Sequence, residues 1–304
     1  MTKINSQIQS YSEKLERDLS RVRQEIRNIL KEALPESVFK SLPLSGKMLR
    51  VKLAIMIFRK FFEELKEEHV KSLVALELVH LASLLHDDVI DHSTLRRGKD
   101  TINVLFGETA AVAIGDIVLV LAFELVEEIG LEKLRKAFLK VIKMMSIGEM
   151  LEQFNKGKPI SKETYFEIIN GKSGSLFGLS TFIPSIFKGD HGEEFYEMGK
   201  RLGQYYQIAD DVLDFEDPKK VGKSTMLDIK NGIISYPVIL AFEKEPSLIE
   251  AYEKNEWKVV YNFILKNKIL EQARHELKLM IFDFVKTYPW LKEYVMSVFR
   301  QYFK

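Results

Sequence analysis

Residues 73–91 read LVALELVHLASLLHDDVID. Apolar side chains fall on nearly every side of this stretch, and no Gly or Pro interrupts it. A helix that is apolar all round belongs inside a bundle, not on its surface. The stretch ends in Asp87, Asp88 and Asp91, spaced i, i+1 and i+4, so Asp87 and Asp91 share one face a turn apart. Residues 110–126 (AAVAIGDIVLVLAFELV) form a second such helix. Residues 209–214 (ADDVLD) close a third with Asp210, Asp211 and Asp214 in the same spacing. Two such trios ending inner helices are expected to face each other across the mouth of a bundle cavity. Carboxylates gathered in this way repel unless cations lie among them. An all-oxygen, all-anionic ligand set suits hard divalent ions, Mg²⁺ above all, shared with a substrate phosphate.

Outward from these helices the pattern stays helical. Ile4, Ile8, Tyr11, Leu15, Leu19, Val22, Ile26 and Leu30 step by three or four residues, as an amphipathic outer helix requires. Pro35 and Pro43 close that element. Further helices are expected at 46–66, 69–92, 108–130, 131–156, 161–188 (kinked at Pro184) and 191–217, with shorter ones in 235–304. Short alternating runs that would mark strands are scarce. The expected fold is all-α, one large bundle of antiparallel helices around a central cavity, forming a single domain over residues 1–304.

Composition removes several classes of function. With 45 basic and 44 acidic residues the net charge is +1, so no global field points to nucleic acid. No cysteine is present, which excludes disulfides, zinc–thiolate sites and cysteine nucleophiles. The first residues, MTKINSQIQSYSEKLERD, carry acids among their bases and no apolar core, unlike a signal or transit peptide. No run of eighteen consecutive apolar residues occurs, so no transmembrane segment is expected and the cytoplasm is the expected location.

One Asp-Asp-x-x-Asp copy alone is as readily a solvated helix end as a site. Two copies, each after a long apolar stretch and each with Val and an aliphatic residue in the gap, weigh against that. The glycine and twelve-residue spacing of a calcium loop are missing. Basic residues cluster nearby. Arg96 and Arg97 follow the first trio with Gly98 and Lys99, and guanidinium forks grip phosphate oxygens. Gly46, Lys47 and Arg50 open an expected helix, where free N–H groups can meet an anion. Gly222, Lys223 and Ser224 follow the second trio, while Lys172, Ser173 and Gln207 place polar groups in apolar helices. Acids for metal, bases for phosphate and a hydrocarbon lining suit a substrate with a diphosphate head and a greasy tail.

On these residues the chain resembles the trans-type (all-E) isoprenyl diphosphate synthases, most of all the medium- and long-chain (hexa- to octaprenyl) members. The resemblance covers residues 40–240 and rests on Gly46-Lys47-x-x-Arg50, Glu77-x-x-His80-x-x-Ser83, the two trios, Arg96-Arg97-Gly98, Gly115-Asp116, Lys172-Ser173 and Gln207. It implies head-to-tail condensation of isopentenyl diphosphate with an allylic diphosphate, with farnesyl diphosphate the expected primer. Three Mg²⁺ ions per site are implied (Mn²⁺ as an alternative). Asp87 and Asp91 would bind two and Asp210 the third, with Asp88, Asp211 and Asp214 in support. Arg96, Lys172 and Lys223 would hold the allylic diphosphate. Gly46, Lys47, Arg50, His80 and Arg97 would bind isopentenyl diphosphate. Ser173 and Gln207 would steady the allylic cation, and the departed diphosphate would take the proton. Two departures stand out. Ser173 replaces the usual Thr and keeps the hydroxyl, whereas Ile233 replaces a Lys that often binds diphosphate, with Lys230 the nearest substitute.

Among other residues, His86 is expected as a hydrogen-bonded helix residue, and His69 and His191 at the surface. Asp116, Glu149 and Gln153 are expected near the cavity mouth, Asp116 and Gln153 either as binding groups or as structural hydrogen-bond partners, and Asp228 in the loop after the second trio. Product length is read from the helix below Asp87. Ala82 and Ser83 are too small to plug a tunnel there. Phe138, eleven residues and roughly 16 Å below Glu149, is the expected floor, giving a product of about C30–C40. Rival readings are a C15–C20 synthase and a non-catalytic subunit of a heteromeric enzyme. The resemblance also implies a homodimer, with 108–130 the expected interface.

Overall fold

The computed structural model describes residues 2–189, 192–216 and 227–300, with side chains from residue 13 onward apart from Leu227. Lys223, its neighbours Gly222 and Ser224, and His191 lie outside the described residues. Helix follows helix: α1 (Thr2–Ala33), α2 (Glu36–Ser41), α3 (Leu49–Phe61), α4 (Glu67–Ile90), α5 (Ile102–Phe106), α6 (Glu108–Ile129), α7 (Glu132–Asn155), α8 (Lys162–Ile169), α9 (Ser175–Lys188) and α10 (Glu193–Leu213). Then come α11 (Leu227–Lys230), α12 (Tyr236–Lys244), α13 (Leu248–Glu253), α14 (Trp257–Lys266), α15 (Ile269–Thr287) and α16 (Lys292–Phe299). The only strands among the described residues are a small hairpin, β1 (Leu95–Arg96) with β2 (Lys99–Asp100). The all-α expectation holds. The chain forms two compact units, residues 1–142 with 179–196 and residues 143–178 with 197–304.

In the first unit α4 packs against α1, α3, α5 and above all α6. The stripe read in α1 is buried, with Leu19, Val22, Ile26 and Leu30 inside, each contributing about 1.5–3 kcal/mol of transfer free energy. Buried Asp18 of α1 accepts from Arg59 of α3 at 2.6 and 2.7 Å, which keeps that charge paired. His69, expected at the surface, is instead buried among Phe58, Phe62 and Phe187, whose ring centroids lie 4.6–4.7 Å away. Its Nδ1 accepts from the Lys66 backbone N–H and closes the start of α4. The sequence reading put His69 at the first position of its helix, whereas the helix begins at Glu67 and the ring is covered.

Three features differ from expectation. The helix of α3 starts at Leu49, not at Gly46, because Met48 adopts a left-handed conformation (φ 49°) that ends the preceding loop. The helix α6, expected in the middle of the bundle, leaves Val112, Ile117 and Val120 exposed. The 161–188 helix is interrupted at a π-helical turn, Asn170–Gly174, while α9 continues through Pro184.

In the second unit α12 is almost wholly buried and packs on α14 and α15. Tyr236 and Phe284 are among its largest fully buried side chains. Together with α8, this core backs the end of α10 that carries the second trio.

Candidate functional site

Each unit holds one trio. In the first, Asp88 is buried, and the Nε and Nη2 groups of Arg96 both close on its Oδ1 at 2.7 Å. The hairpin delivers Arg96 there. Its two turn residues, Arg97 and Gly98, have φ of 53° and 76°, as tight two-residue hairpin loops require. Asn103 ties the hairpin to α4 by donating to the Asp88 carbonyl at 3.2 Å and the Ser93 carbonyl at 3.0 Å. Nothing in the sequence pattern marked Asn103.

Arg97 points the other way, donating to the Pro43 carbonyl at 2.5 Å. A Cβ on Gly46 would come within 2.7 Å of its Nη1, so only glycine leaves that seat open. On α4, His80 Nε2 lies 3.2 Å from Arg50 Nη1. An arginine can only donate, so Nε2 is the acceptor and the proton sits on Nδ1. Burial and the nearby Arg50, Arg97 and Arg96 hold His80 well below its ordinary pKa, which keeps it neutral. Burial pushes the Glu77 carboxyl up, against the pull of Arg50, Arg97 and Arg23. Gly46, Arg50, His80 and Arg97 are thus brought together in one unit. Lys47 stays exposed on the loop before α3. Beside them opens a cleft of about 500 Å³ whose wall includes Arg23 and Arg27 of α1.

The ring of His86 packs on Gly115, where a Cβ would clash at 2.3 Å. Its Nε2 lies 3.3 Å from the Val112 carbonyl and 3.4 Å from Asp116. Its partners are those of a hydrogen-bonded helix residue. Ala82 and Phe138 are buried, while Ser83 donates to the His80 carbonyl at 2.9 Å.

In the second unit the π-helical turn does the positioning. A Cβ on Gly148 of α7 would lie 2.7 Å from the Lys172 nitrogen, and one on Gly203 of α10 2.7 Å from the Gly174 Cα. The turn is therefore clamped backbone to backbone on both sides. Its extra residue sends Lys172 and Ser173, adjacent in sequence, to different neighbours. Lys172 pairs with Glu149 at 2.7 Å and with Glu152. Burial alone would lower the Lys172 ammonium, but the two glutamates outweigh it and raise it. Ser173 donates to Gln207 Oε1 at 2.7 Å, and Gln207 Nε2 donates to Asp211 Oδ1 at 3.0 Å, which fixes the amide's orientation. Asp211 Oδ2 accepts from the Tyr165 hydroxyl at 2.7 Å and the Tyr236 N–H at 2.8 Å. Burial pushes Asp211 up to about 6 despite these three donors.

Asp214 accepts from the Asp228 N–H at 3.3 Å. Burial and the neighbouring Asp214, Asp211, Asp210 and Glu152 raise the Asp228 carboxyl well above the usual range. A divalent cation bound among these carboxylates would relieve their repulsion. Among the described residues no three such side chains close around a point as a self-sufficient metal cage. Gln153 donates to Glu149 at 2.9 Å. Lys230, the nearest substitute for a lysine at Ile233, has its ammonium 5.5 Å from the Trp257 ring centroid. Glu152, Tyr165 and Tyr236 were not picked out from the sequence. Glu152 carried one sign, its i, i+3 spacing from Glu149, whereas Tyr165 and Tyr236 reach Asp211 only through the fold.

Fold and site together define an all-α protein with clustered carboxylates and guanidinium groups, the class that includes the isoprenoid synthases. The chain belongs to the polyprenyl synthetase family, whose model matches residues 31–263. It is 33% identical over 201 residues to octaprenyl diphosphate synthase of Escherichia coli, covering 64% of this chain and 62% of that protein. It is 35% identical over 218 residues to chloroplastic solanesyl diphosphate synthase 1 of Arabidopsis thaliana, covering 68% and 54%. The match thus spans between half and two thirds of the length of these relatives. Among solved structures, heptaprenyl diphosphate synthase from Staphylococcus aureus superposes with a TM-score of 0.82 over 90% of this chain and 91% of that one, at 27% identity. The fold is that of the isoprenoid synthases.

Proposed function

We propose that this chain is a prenyltransferase that condenses isopentenyl diphosphate, 1'–4 and head to tail, onto an allylic diphosphate. The preferred primer is farnesyl diphosphate and the product an all-trans polyprenyl diphosphate of about C30–C40, with Phe138, roughly 16 Å below Glu149 by helix rise, as the floor of the tunnel. The observation that carries this reading is the pair of aspartate trios, each beside its own bases, in a chain of this family. Asp87 and Asp91 would hold two Mg²⁺ ions and Asp210 a third, with Asp88, Asp211 and Asp214 in support. The carboxylate-only donor set, with Asp228 beside Asp214, Asp211 and Asp210, fits hard cations. When bound, the ions neutralise charge on the leaving diphosphate.

Arg96, Lys172 and Lys223 grip that diphosphate, so the C–O bond ionises to an allylic cation. Arg96 is oriented for this by Asp88, and Lys172 by Glu149 and Glu152. Gly46, Lys47, Arg50, His80 and Arg97 hold isopentenyl diphosphate, neutral His80 accepting from Arg50 and orienting it. Ser173 and Gln207 turn oxygen lone pairs toward the cation. The departed diphosphate removes the proton. The chain acts as one domain and as a homodimer in the cytoplasm.

The test is incubation with Mg²⁺, isopentenyl diphosphate and farnesyl diphosphate, with products resolved by reversed-phase chromatography. Chain elongation that stops when the metal is chelated is expected. Absence of any elongated product would refute the reading.

A further inference from the structure

We infer that α1 forms part of the isopentenyl diphosphate site, with Arg23 and Arg27 as further binding residues for the diphosphate head. This rests on the function proposed above. His80 and Arg97, both assigned to that substrate, line the cleft of about 500 Å³, and Arg23 and Arg27 line it from α1. The two arginines are four residues apart and so stand one above the other on one helix face, where like charges repel. Among the described residues, three guanidinium groups line this cleft against one carboxylate, Glu77. His80 adds no compensating charge. Arg27 makes no hydrogen bond or ion pair with a described residue, and Arg23 reaches Glu16 only at 3.9 Å. A cleft with this surplus takes a multiply charged anion. Its apolar remainder, including Leu81 and Leu84, suits an anion carrying a short hydrocarbon. Of the residues assigned to the allylic diphosphate, the described ones, Arg96 and Lys172, do not line the cleft. The arginines on α1 therefore serve the five-carbon substrate alone.

The experiment uses the full chain with Mg²⁺ and farnesyl diphosphate, varying isopentenyl diphosphate. Arg23→Gln and Arg27→Gln should each raise KM for isopentenyl diphosphate about tenfold, as loss of a charge-assisted contact predicts. The kcat and the KM for farnesyl diphosphate should stay within about twofold. Arg27→Lys should recover part of the loss, and wild-type KM should rise with salt more steeply than that of Arg27→Gln. Titration with a non-reactive thiolo analogue of isopentenyl diphosphate should show the same weakening without turnover. Inorganic diphosphate as inhibitor separates the sources: if its inhibition alone weakens and KM does not, the site is for released product and the inference falls. Unchanged KM in both variants overturns it as well. A wild-type chain with no activity would instead overturn the functional reading. Arg27 is exposed, so its variants are expected to fold, and circular dichroism checks this.

Discussion

Asp88 and Asp211 occupy the same place in their trios, and both are buried and accept from protein donors, Asp88 through Oδ1 and Asp211 through both carboxylate oxygens. Each acts as a strut that orients neighbours: Asp88 orients Arg96, and Asp211 orients Gln207. Tyr165→Phe removes one donor from buried Asp211 and is expected to cost about 1–2 kcal/mol of stability. It should also lower kcat several-fold, because Asp211, which orients Gln207, loses one of its three anchors. Urea unfolding alongside turnover measures both, and a wild-type kcat at reduced stability would limit Tyr165 to a structural part. His69 gives a prediction in pH. Burial lowers it from 6.5 to about 4, so between those values it is neutral when folded but protonated when unfolded. The unfolded state then binds more protons, so stability falls as pH drops from about 6.5 toward 4. His69→Gln, which keeps the capping acceptor, should flatten that slope in urea midpoints taken at pH 7 and 4.5. At this scale the trios were legible because i, i+1, i+4 spacing is local chemistry. Tyr165 was not, since it meets Asp211 across 46 residues of sequence.

Between elements, the crossings decide more than the helices themselves. The lengths of α4, α7 and α10 followed from periodicity, but the π-helical turn did not, because one inserted residue hardly disturbs an apolar pattern. Pro184 looked like the break, yet the chain departs from α geometry at Asn170–Gly174, where Gly148 and Gly203 let three backbones touch. Gly148→Ala and Gly203→Ala should each cost about 1–3 kcal/mol by overpacking. They should lower kcat at least about tenfold, because small displacements of a positioned group are expensive in rate. Lys143→Ala, exposed on α7, should do neither, and melting curves with turnover rates would separate the cases. The same scale holds the question of product length. Ala82 and Phe138 are both buried in the first unit. If they mark an early level and the floor of the tunnel, Ala82→Tyr shortens the product and Phe138→Ala lengthens it. Unchanged chain lengths in both, by chromatography, would place the floor elsewhere.

At the scale of the whole molecule, α6 poses the remaining question. It is the one helix among the described residues long and apolar enough to cross a membrane, yet only 39% of its most apolar stretch is buried. The exposed stripe runs through Val112, Ile117 and Val120, and Asp116 and Glu124 are exposed with them. The sequence showed the apolarity but not which side would stay uncovered, since that depends on where α4 packs. A bilayer is a poor cover for this face, because a central carboxylate there costs about 2.5–3.5 kcal/mol. A second copy is a better one, because an apolar strip edged by acids resembles an interface core with its polar rim. The proposed homodimer therefore closes over α6. Light scattering should give a mass near twice the 35.3 kDa of the chain. Val120→Glu or Ile117→Glu should shift it toward the monomer while leaving the helical circular dichroism in place. A dimer that survives both substitutions would put the interface on another face, and co-sedimentation with lipid vesicles would return α6 to the membrane.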